Sequence, residues 1–303
     1  MIATVTLNPA IDHTVYLDRF IPYSLNRAAD AEYSIGGKGI NVSKVLAELG
    51  ISSITLGFLG KNAAHISDEL KEMGITTDFI EVEGNTRTNI KIIDRGDPAF
   101  TEVNEAGPWI SPGKLGELKA RVSYWAERCG YITFSGSLPR GISEDIYREL
   151  IRTAGQKGAK AILDADGPAL AEGIDSAPYM IKPNISELEG LIGHPISGDR
   201  ELKDICGKLK SRGISVVIIS MGSRGSVYAD AKGIYRVRPL ELEVKSTVGA
   251  GDAMVAGYLC AANRGLSGEA AARMAAASSC CRIISDFKRM EEFCQTIDIE
   301  RWA

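Results

Sequence analysis

A carboxylate directly after a glycine-rich turn can act as a base beside a bound phosphate. The chain has one such stretch, Ser246-Thr247-Val248-Gly249-Ala250-Gly251-Asp252. Gly249 and Gly251 lack Cβ, so the backbone there can turn sharply and approach a ligand closely. The run that follows, Ala253-Met254-Val255-Ala256-Gly257-Tyr258, reads as a helix whose first amides have no partner inside it. With the helix dipole, those amides make an anion site. Asp252 lies where they converge. It can cap the helix or serve as a general base. Capping alone leaves the two neighbouring glycines unexplained, so a phosphate-handling site is favoured, with Gly249, Ala250, Gly251 and Asp252 as its catalytic candidates.

A second cluster, Gly36-Gly37-Lys38-Gly39-Ile40-Asn41, also opens a helix. A tight turn accounts for the glycines. A Lys and an Asn added to them point to a polyhydroxylated or phosphorylated ligand, since Asn41 both donates and accepts. Lys182-Pro183-Asn184-Ile185-Ser186-Glu187 reads first as a capping box with Asn184 as N-cap and Glu187 three residues on. The alternative is that Asn184 and Glu187 hold a hydrated Mg²⁺ beside nucleotide phosphates. Ser220-Met221-Gly222-Ser223-Arg224-Gly225 is a hairpin turn or a nucleotide-binding loop. Asp12, Arg27, Lys38, Arg87 and Lys91 are candidates for a second substrate, against the ordinary reading of polar residues on a solvated face. His13, His65 and His194 have no ligand spacing.

Two common nucleotide signatures are absent. A Walker A loop needs G-x-x-x-x-G-K-[ST], yet Glu32 stands where its first Gly would be and Gly39 where its Ser or Thr would be. A dinucleotide fingerprint needs a third Gly, where this chain has Met254 after Gly249 and Val42 after Gly37.

The elements that must position these residues read as α/β. An apolar strand covers Ile2 to Leu7. Helices are expected from Ile40 to Leu49, Asn62 to Met73, Ser111 to Arg128 and Ser143 to Gln156, with shorter ones near 168–172 and 185–191 and another from Asp199 to Arg212. Strands are expected at Ser53 to Leu59, Thr76 to Val82, Tyr131 to Phe134, Ala161 to Asp164, Tyr179 to Lys182 and Val216 to Ser220. The last is an unbroken apolar run that suits a sheet covered on both faces. A hairpin follows, over Ser226 to Ala229 and Ile234 to Val237. The remainder is expected to be helical, over Ala250 to Ala262, Ser267 to Ile284 and Arg289 to Cys294. This alternation predicts a largely parallel sheet, with ligands beyond its carboxyl strand ends. Residues 12–36 and 86–106 are β-rich and break the alternation. They are expected to form a small sheet over the core, with a turn at Gly96-Asp97-Pro98.

The chain has 303 residues, a net charge of −4 and 45% hydrophobic residues. That length suits one large α/β domain, or a domain with a smaller appendage. The slight negative charge gives no general attraction to nucleic acid or to a membrane surface. Six scattered cysteines contain no C-x-x-C pair, which favours buried thiols in a reducing compartment over zinc or disulfides. The start of the chain reads as a strand and no apolar run approaches a membrane span, so the cytoplasm is expected.

Taken in order, six motifs resemble the PfkB (ribokinase-like) family of sugar kinases: Thr6-Leu7-Asn8-Pro9-Ala10-Ile11-Asp12, Gly36 to Val42, Ser135-Gly136-Ser137-Leu138-Pro139, Lys182-Pro183-Asn184 with Glu187, Ser220-Met221-Gly222, and Gly249 to Asp252. The Ser246-Thr247 start of the last motif is similar to the bacterial phosphosugar branch of that family. Leu25-Asn26-Arg27 and Thr86 to Lys91 look closest to its 1-phosphofructokinases. The resemblance implies a Rossmann-like, ribokinase-like core (residues 1–11, 37–85 and 107–303) and a β lid (residues 12–36 and 86–106), with pairing of lids in a homodimer. It implies transfer of the γ-phosphoryl of ATP to fructose 1-phosphate, with tagatose 6-phosphate as the alternative acceptor and a non-catalytic sugar-phosphate-binding regulator as the alternative of another class. Asp252 would be the base over an anion hole of Gly249 to Asp252. Asp12, Gly36, Gly37, Asn41 and Ser137 would hold the sugar, and Arg27, Lys38 and Arg87 its phosphate. Lys182, Asn184, Ser220, Gly222, Gly225 and Gly251 would hold the nucleotide. Asn184 and Glu187 would hold Mg²⁺ through water.

Overall fold

Residues 1–96 and 100–303 are described by the computed structural model. The turn expected at Gly96-Asp97-Pro98 runs into residues 97–99, outside the described residues. In chain order the first elements are β1 (Ile2–Thr6), β2 (Ala10–Leu17), β3 (Asp30–Gly36), α1 (Lys38–Glu48), β4 (Ser53–Gly60), α2 (Ala64–Glu72), β5 (Thr76–Val82), β6 (Arg87–Asp94) and β7 (Phe100–Asn104). Then come α3 (Pro112–Ala126), β8 (Tyr131–Ser135), α4 (Ile146–Gln156), β9 (Lys160–Asp164), α5 (Gly167–Ile174), β10 (Met180–Ile181), α6 (Ile185–Ile192) and α7 (Asp199–Ser211). The chain closes with β11 (Val216–Ser220), β12 (Ser226–Asp230), β13 (Gly233–Val237), α8 (Ala250–Asn263), α9 (Glu269–Ile284), α10 (Met290–Thr296) and β14 (Ile299–Arg301).

The large sheet runs β14-β13-β12-β11-β10-β9-β8-β1-β4-β5. Pairing is parallel from β11 through β5 and antiparallel from β11 out to β14. Both faces are covered, as the apolar strands require. Along β11, Val217 and Ile219 enter one core, while Val216 and Ile218 enter the other. The second core is built on α8, which is buried along Asp252 to Ala261. A side chain at Gly257 would strike the Met274 carbonyl of α9, and Ala271, Ala275 and Ser278 keep that face of α9 low. The alanine-rich composition of α9 therefore brings α8 close against it.

From β1 the chain order proceeds through β4 and β5 on one side and through β8 to β11 on the other. The switch point between β1 and β8 opens a crevice at their carboxyl ends. A separate four-stranded sheet has the order β3-β2-β6-β7. Its two hairpins are antiparallel, but β2 and β6 are joined by a parallel seam from Ala10↔Arg87 to Leu17↔Asp94.

Two boundaries differ from the sequence expectation for visible reasons. Helix α4 begins at Ile146, not Ser143, because residues 143–145 form a turn closed by the Ile146 amide on the Ser143 carbonyl. The tail was expected to be helical, yet β14 pairs antiparallel with β13. With only three residues and one partner, β14 carries too little periodicity to be read as a strand.

Candidate active site

The site is assembled from the carboxyl ends of β1, β8, β9 and β10 and the starts of α1, α6 and α8. Gly249 is the N-cap of α8, with φ 76, and no side chain caps the helix. Such a left-handed backbone is where glycine is favoured. Asp252 does not reach back to its own helix start. Its Oδ2 accepts from Asn41 Nδ2 at 2.8 Å, an interaction spanning 211 residues. Asp252 is only 7% exposed. Burial, then the neighbouring Asp164, push its carboxyl up to about 6, against the Asn41 hydrogen bond and the lysines. A carboxylate with a pKa near working pH is suited to general-base duty. Of the amides expected to form the anion hole, that of Ala250 is spent in the turn, donating to the Thr247 carbonyl at 3.2 Å. Those of Gly249, Gly251 and Asp252 have no acceptor among the described residues and are left for a ligand.

Beside this helix start lies a row of alternating charges. Lys38 Nζ stands 3.0 Å from Asp164 Oδ1 and 3.6 Å from Glu187 Oε1. Lys182 Nζ stands 3.3 Å from Asp164 Oδ2. A Cβ on Gly251 would lie 3.1 Å from Lys182 Nζ, so this lysine borders the open amides. Burial raises the Asp164 carboxyl, but Lys182 and Lys38 outweigh it and hold the group below the ordinary carboxylate value. Burial pulls Lys38 down, and Asp164 with Glu187 outweighs that to raise it. Lys38 thus stays charged while bordering the crevice.

Asn184 and Glu187 form the complete capping box. Glu187 N–H donates to Asn184 Oδ1 at 2.8 Å, and Asn184 N–H donates to Glu187 Oε2 at 2.8 Å. The Asn184 oxygen is therefore occupied, and Glu187 Oε1 is the oxygen left free of the box. No group of three or more His, Cys, Asp or Glu is gathered for a metal among the described residues. This donor set fits a hydrated Mg²⁺ that takes most of its ligands from phosphate and water, but not a dry protein cage.

The Gly36 to Gly39 cluster packs mainly against the protein itself. A side chain at Gly36 would collide with the Asp12 carboxylate. One at Gly39 would reach 2.5 Å from Thr6 Oγ1, which accepts the Ile40 amide at 3.1 Å. Gly37 is the N-cap of α1 with φ 126. Asp12 accepts from Asn89 Nδ2 at 2.9 Å, and burial raises its carboxyl against the pull of Asn89 and Arg87. Ser137 Oγ accepts from Asn8 Nδ2 at 3.4 Å. Ser220 bridges to Asn184 at the end of β11. Gly222 starts a short 3₁₀ turn, and Gly225, with φ 82, packs on the Val237 carbonyl. The buried Arg236 holds that turn through the Arg224 carbonyl at 2.6 Å.

The expected phosphate clamp of Arg27, Lys38 and Arg87 is not brought together. Lys38 is engaged by Asp164 and Glu187. Arg27 is exposed on the link between β2 and β3, with no hydrogen bond or ion pair among the described residues. Arg87 donates to the carbonyls of Asn8 at 3.2 Å and Glu105 at 3.3 Å. It lines a cavity of about 520 Å³ together with Arg140, Asn85 and Glu105. Asp164, Arg140, Arg236 and Arg282 were not anticipated. Asp164 alone left a trace, as an acid ending a buried apolar strand.

Residues 5–285 match the model of the pfkB family carbohydrate kinases. A 1-phosphofructokinase of Xanthomonas campestris is 38% identical over 288 residues, covering 93% of this chain and 91% of its own length. A tagatose-6-phosphate kinase of Staphylococcus epidermidis is 35% identical over 261 residues, covering 85% of this chain and 84% of its own. A Thermotoga maritima structure described as a possible 1-phosphofructokinase superposes with a TM-score of 0.90 at 28% identity, covering all of both chains. With its fold, its crevice and this match along nearly its whole length, the chain belongs to the pfkB family of carbohydrate kinases.

Proposed function

We propose that the chain transfers the γ-phosphoryl of ATP to a hydroxyl of fructose 1-phosphate, giving fructose 1,6-bisphosphate. The observation that carries this reading is Asp252. It is buried, held by Asn41 and raised to about 6 beside a helix start whose amides are left open. Asp252 takes the proton of the attacking hydroxyl. The amides of Gly249, Gly251 and Asp252, with Lys182 at their edge, carry the charge of the transferring phosphoryl. Phosphoryl transfer is mostly positioning and electrostatics, so no covalent enzyme intermediate is required. Lys38, already engaged by Asp164 and Glu187, faces the nucleotide phosphates better than those of the acceptor. The turn of Ser220, Gly222 and Gly225 borders the nucleotide. Glu187 Oε1 would hold a hydrated Mg²⁺, which supplies charge neutralisation on the phosphates when bound.

On the acceptor side, Asp12, Gly37 and Ser137 hold sugar hydroxyls. Arg87 takes the phosphate, and Arg140 on the same cavity wall adds a second guanidinium. Arg27 joins when the small sheet closes. Residues 12–36 and 86–106 form the lid over a core of residues 1–11, 37–85 and 107–303. One face of the lid carries Asp12 and Asn89. The other carries the row Tyr33, His13, Ile90 and Val103, with Tyr33 69% and Val103 53% exposed. A second copy of the chain covers that largely aromatic and aliphatic row in a homodimer. The cytoplasm is the proposed location: the six cysteines are unpaired, and no helix among the described residues is long and apolar enough to cross a membrane.

The test is MgATP-dependent ADP release with fructose 1-phosphate, tagatose 6-phosphate and fructose 6-phosphate. A clear kcat/KM preference for fructose 1-phosphate is expected. The 35% identical tagatose-6-phosphate kinase makes tagatose 6-phosphate the second reading. A preference for that sugar would keep the mechanism and replace the acceptor.

A further inference from the structure

The loop that ends at Gly249 is fastened to the last turn of α9 at three points. The amides of Lys245 and Ser246 both donate to the Ile283 carbonyl at 3.1 Å. Arg282 Nε donates to the Val248 carbonyl at 3.1 Å. A Cβ on Gly249 would lie 3.2 Å from Arg282 Nε, so the glycine at this position both permits the left-handed turn and makes room for the guanidinium. Arg282 has no carboxylate within ion-pair distance among the described residues. The nearby cation is Lys44, one helical turn beyond Asn41, whose ammonium donates to the Ile35 carbonyl at 2.6 Å. Burial and then the Arg282 charge pull the Lys44 pKa down. Asp12 and Glu69 act on Lys44 in the opposite sense, and what singles out Arg282 is its hydrogen bond to the Val248 carbonyl.

Peptide geometry shows the use. A trans peptide is planar, with its carbonyl and its N–H pointing opposite ways. Holding the Val248 carbonyl therefore fixes the direction of the Gly249 N–H, the first amide of the anion site. We infer that Arg282 is a positioning residue for phosphoryl transfer, which locks the Val248–Gly249 peptide so that the Gly249 amide faces the transferring phosphoryl. This rests on the proposed kinase reading of the Asp252 site.

Arg282→Ala, Arg282→Lys, Gly249→Ala and the double variant Arg282→Ala/Gly249→Ala test it. Arg282→Ala should lower kcat by about 10- to 100-fold, while the KM values for MgATP and phosphosugar stay within about threefold. Guanidinium ion at low, non-denaturing concentration should restore part of the loss, and Arg282→Lys should retain part of kcat. The double variant should be no worse than the poorer single one, because both act through one peptide. An unchanged kcat, or a loss that tracks a fall in Tm without rescue, would overturn the inference. Wild type inactive on every phosphosugar would instead sink the acceptor reading. The inference is then read from binding of MgADP with aluminium fluoride, which should weaken in Arg282→Ala while MgADP alone binds as before. Equal binding of the fluoride complex by both proteins would refute it.

Discussion

Helices α6 and α8 begin in the same pattern and end up serving opposite purposes. Each has a cap residue followed three positions later by an acid, Asn184 with Glu187 and Gly249 with Asp252. In α6 both side chains turn back on the helix start, where they take the Asn184 and Glu187 amides. In α8 the cap has no side chain, and the acid turns outward to Asn41. The α6 start is capped by its own side chains, with Glu187 Oε1 left over. The α8 start is open and presents amides beside a carboxylate. A glycine cap alone does not decide this, since α7 also starts at a glycine, Gly198, with Glu201 three positions on, and there the acid turns back to the Ser197 amide.

The largest test of this contrast is Asp252→Asn, which should lower kcat by about 10²- to 10⁴-fold. The same change should raise Tm by a few degrees at neutral pH. The folded chain holds the Asp252 proton up to about pH 6, above the ordinary carboxylate value, so this group loses stability as pH rises from about 4 to 6. A neutral amide removes that loss. A fall in both activity and Tm would show Asp252 acting as an ordinary structural residue.

Gly251→Ala comes next, with an expected drop in kcat of about 10²-fold from crowding a phosphoryl off its amide. In thermal melts the helix preference of alanine, about 0.5–1 kcal/mol, is set against a Cβ 3.1 Å from Lys182 Nζ, so Tm should stay near that of wild type. Retained activity would mean that this amide contacts no ligand. The pH profile is a milder probe. As Asp252 takes up its proton, kcat/KM should fall about tenfold per pH unit below about pH 6. A profile flat down to pH 5 would remove Asp252 as the base. The smallest effect belongs to α6, where Asn184→Ala should cost about 0.5–2 kcal/mol of stability in denaturant titrations. An intact KM for MgATP in that variant would confirm that Asn184 caps and does not bind metal.

Sequence spacing reveals what is local and hides what is distant. The capping box is legible because its partners are three residues apart. The glycine turn before α8 is legible for the same reason, and so is a buried strand with an unbroken apolar run such as β11, whereas the short edge strand β14 is not. The partnership of Asn41 with Asp252 is not legible, because only the packing of α1 against α8 creates it. Nor is the division of cations. Lys38 and Arg87 look alike in a list of basic residues, and only the burial of Asp164 at the end of β9 draws Lys38 away from Arg87. Gly36 was expected to face a ligand, whereas its close approach to Asp12 also accounts for it, as Thr6 accounts for Gly39. Arg282 left no local signal, because its partner is a backbone carbonyl 34 residues away.

The parallel seam between β2 and β6 bears on how the protein is made. Asp12 meets Asn89 across 77 residues of chain, and a parallel pair cannot be closed by a hairpin turn. During synthesis the first hairpin must wait, with one edge unpaired, until β4 and β5 have emerged and delivered β6. Pairings of this separation form late. The carboxylate and the guanidinium assigned to the acceptor therefore meet only after β1, β4 and β5 have emerged, yet well before α8 is made, so the lid can be complete while the chain still lacks its base.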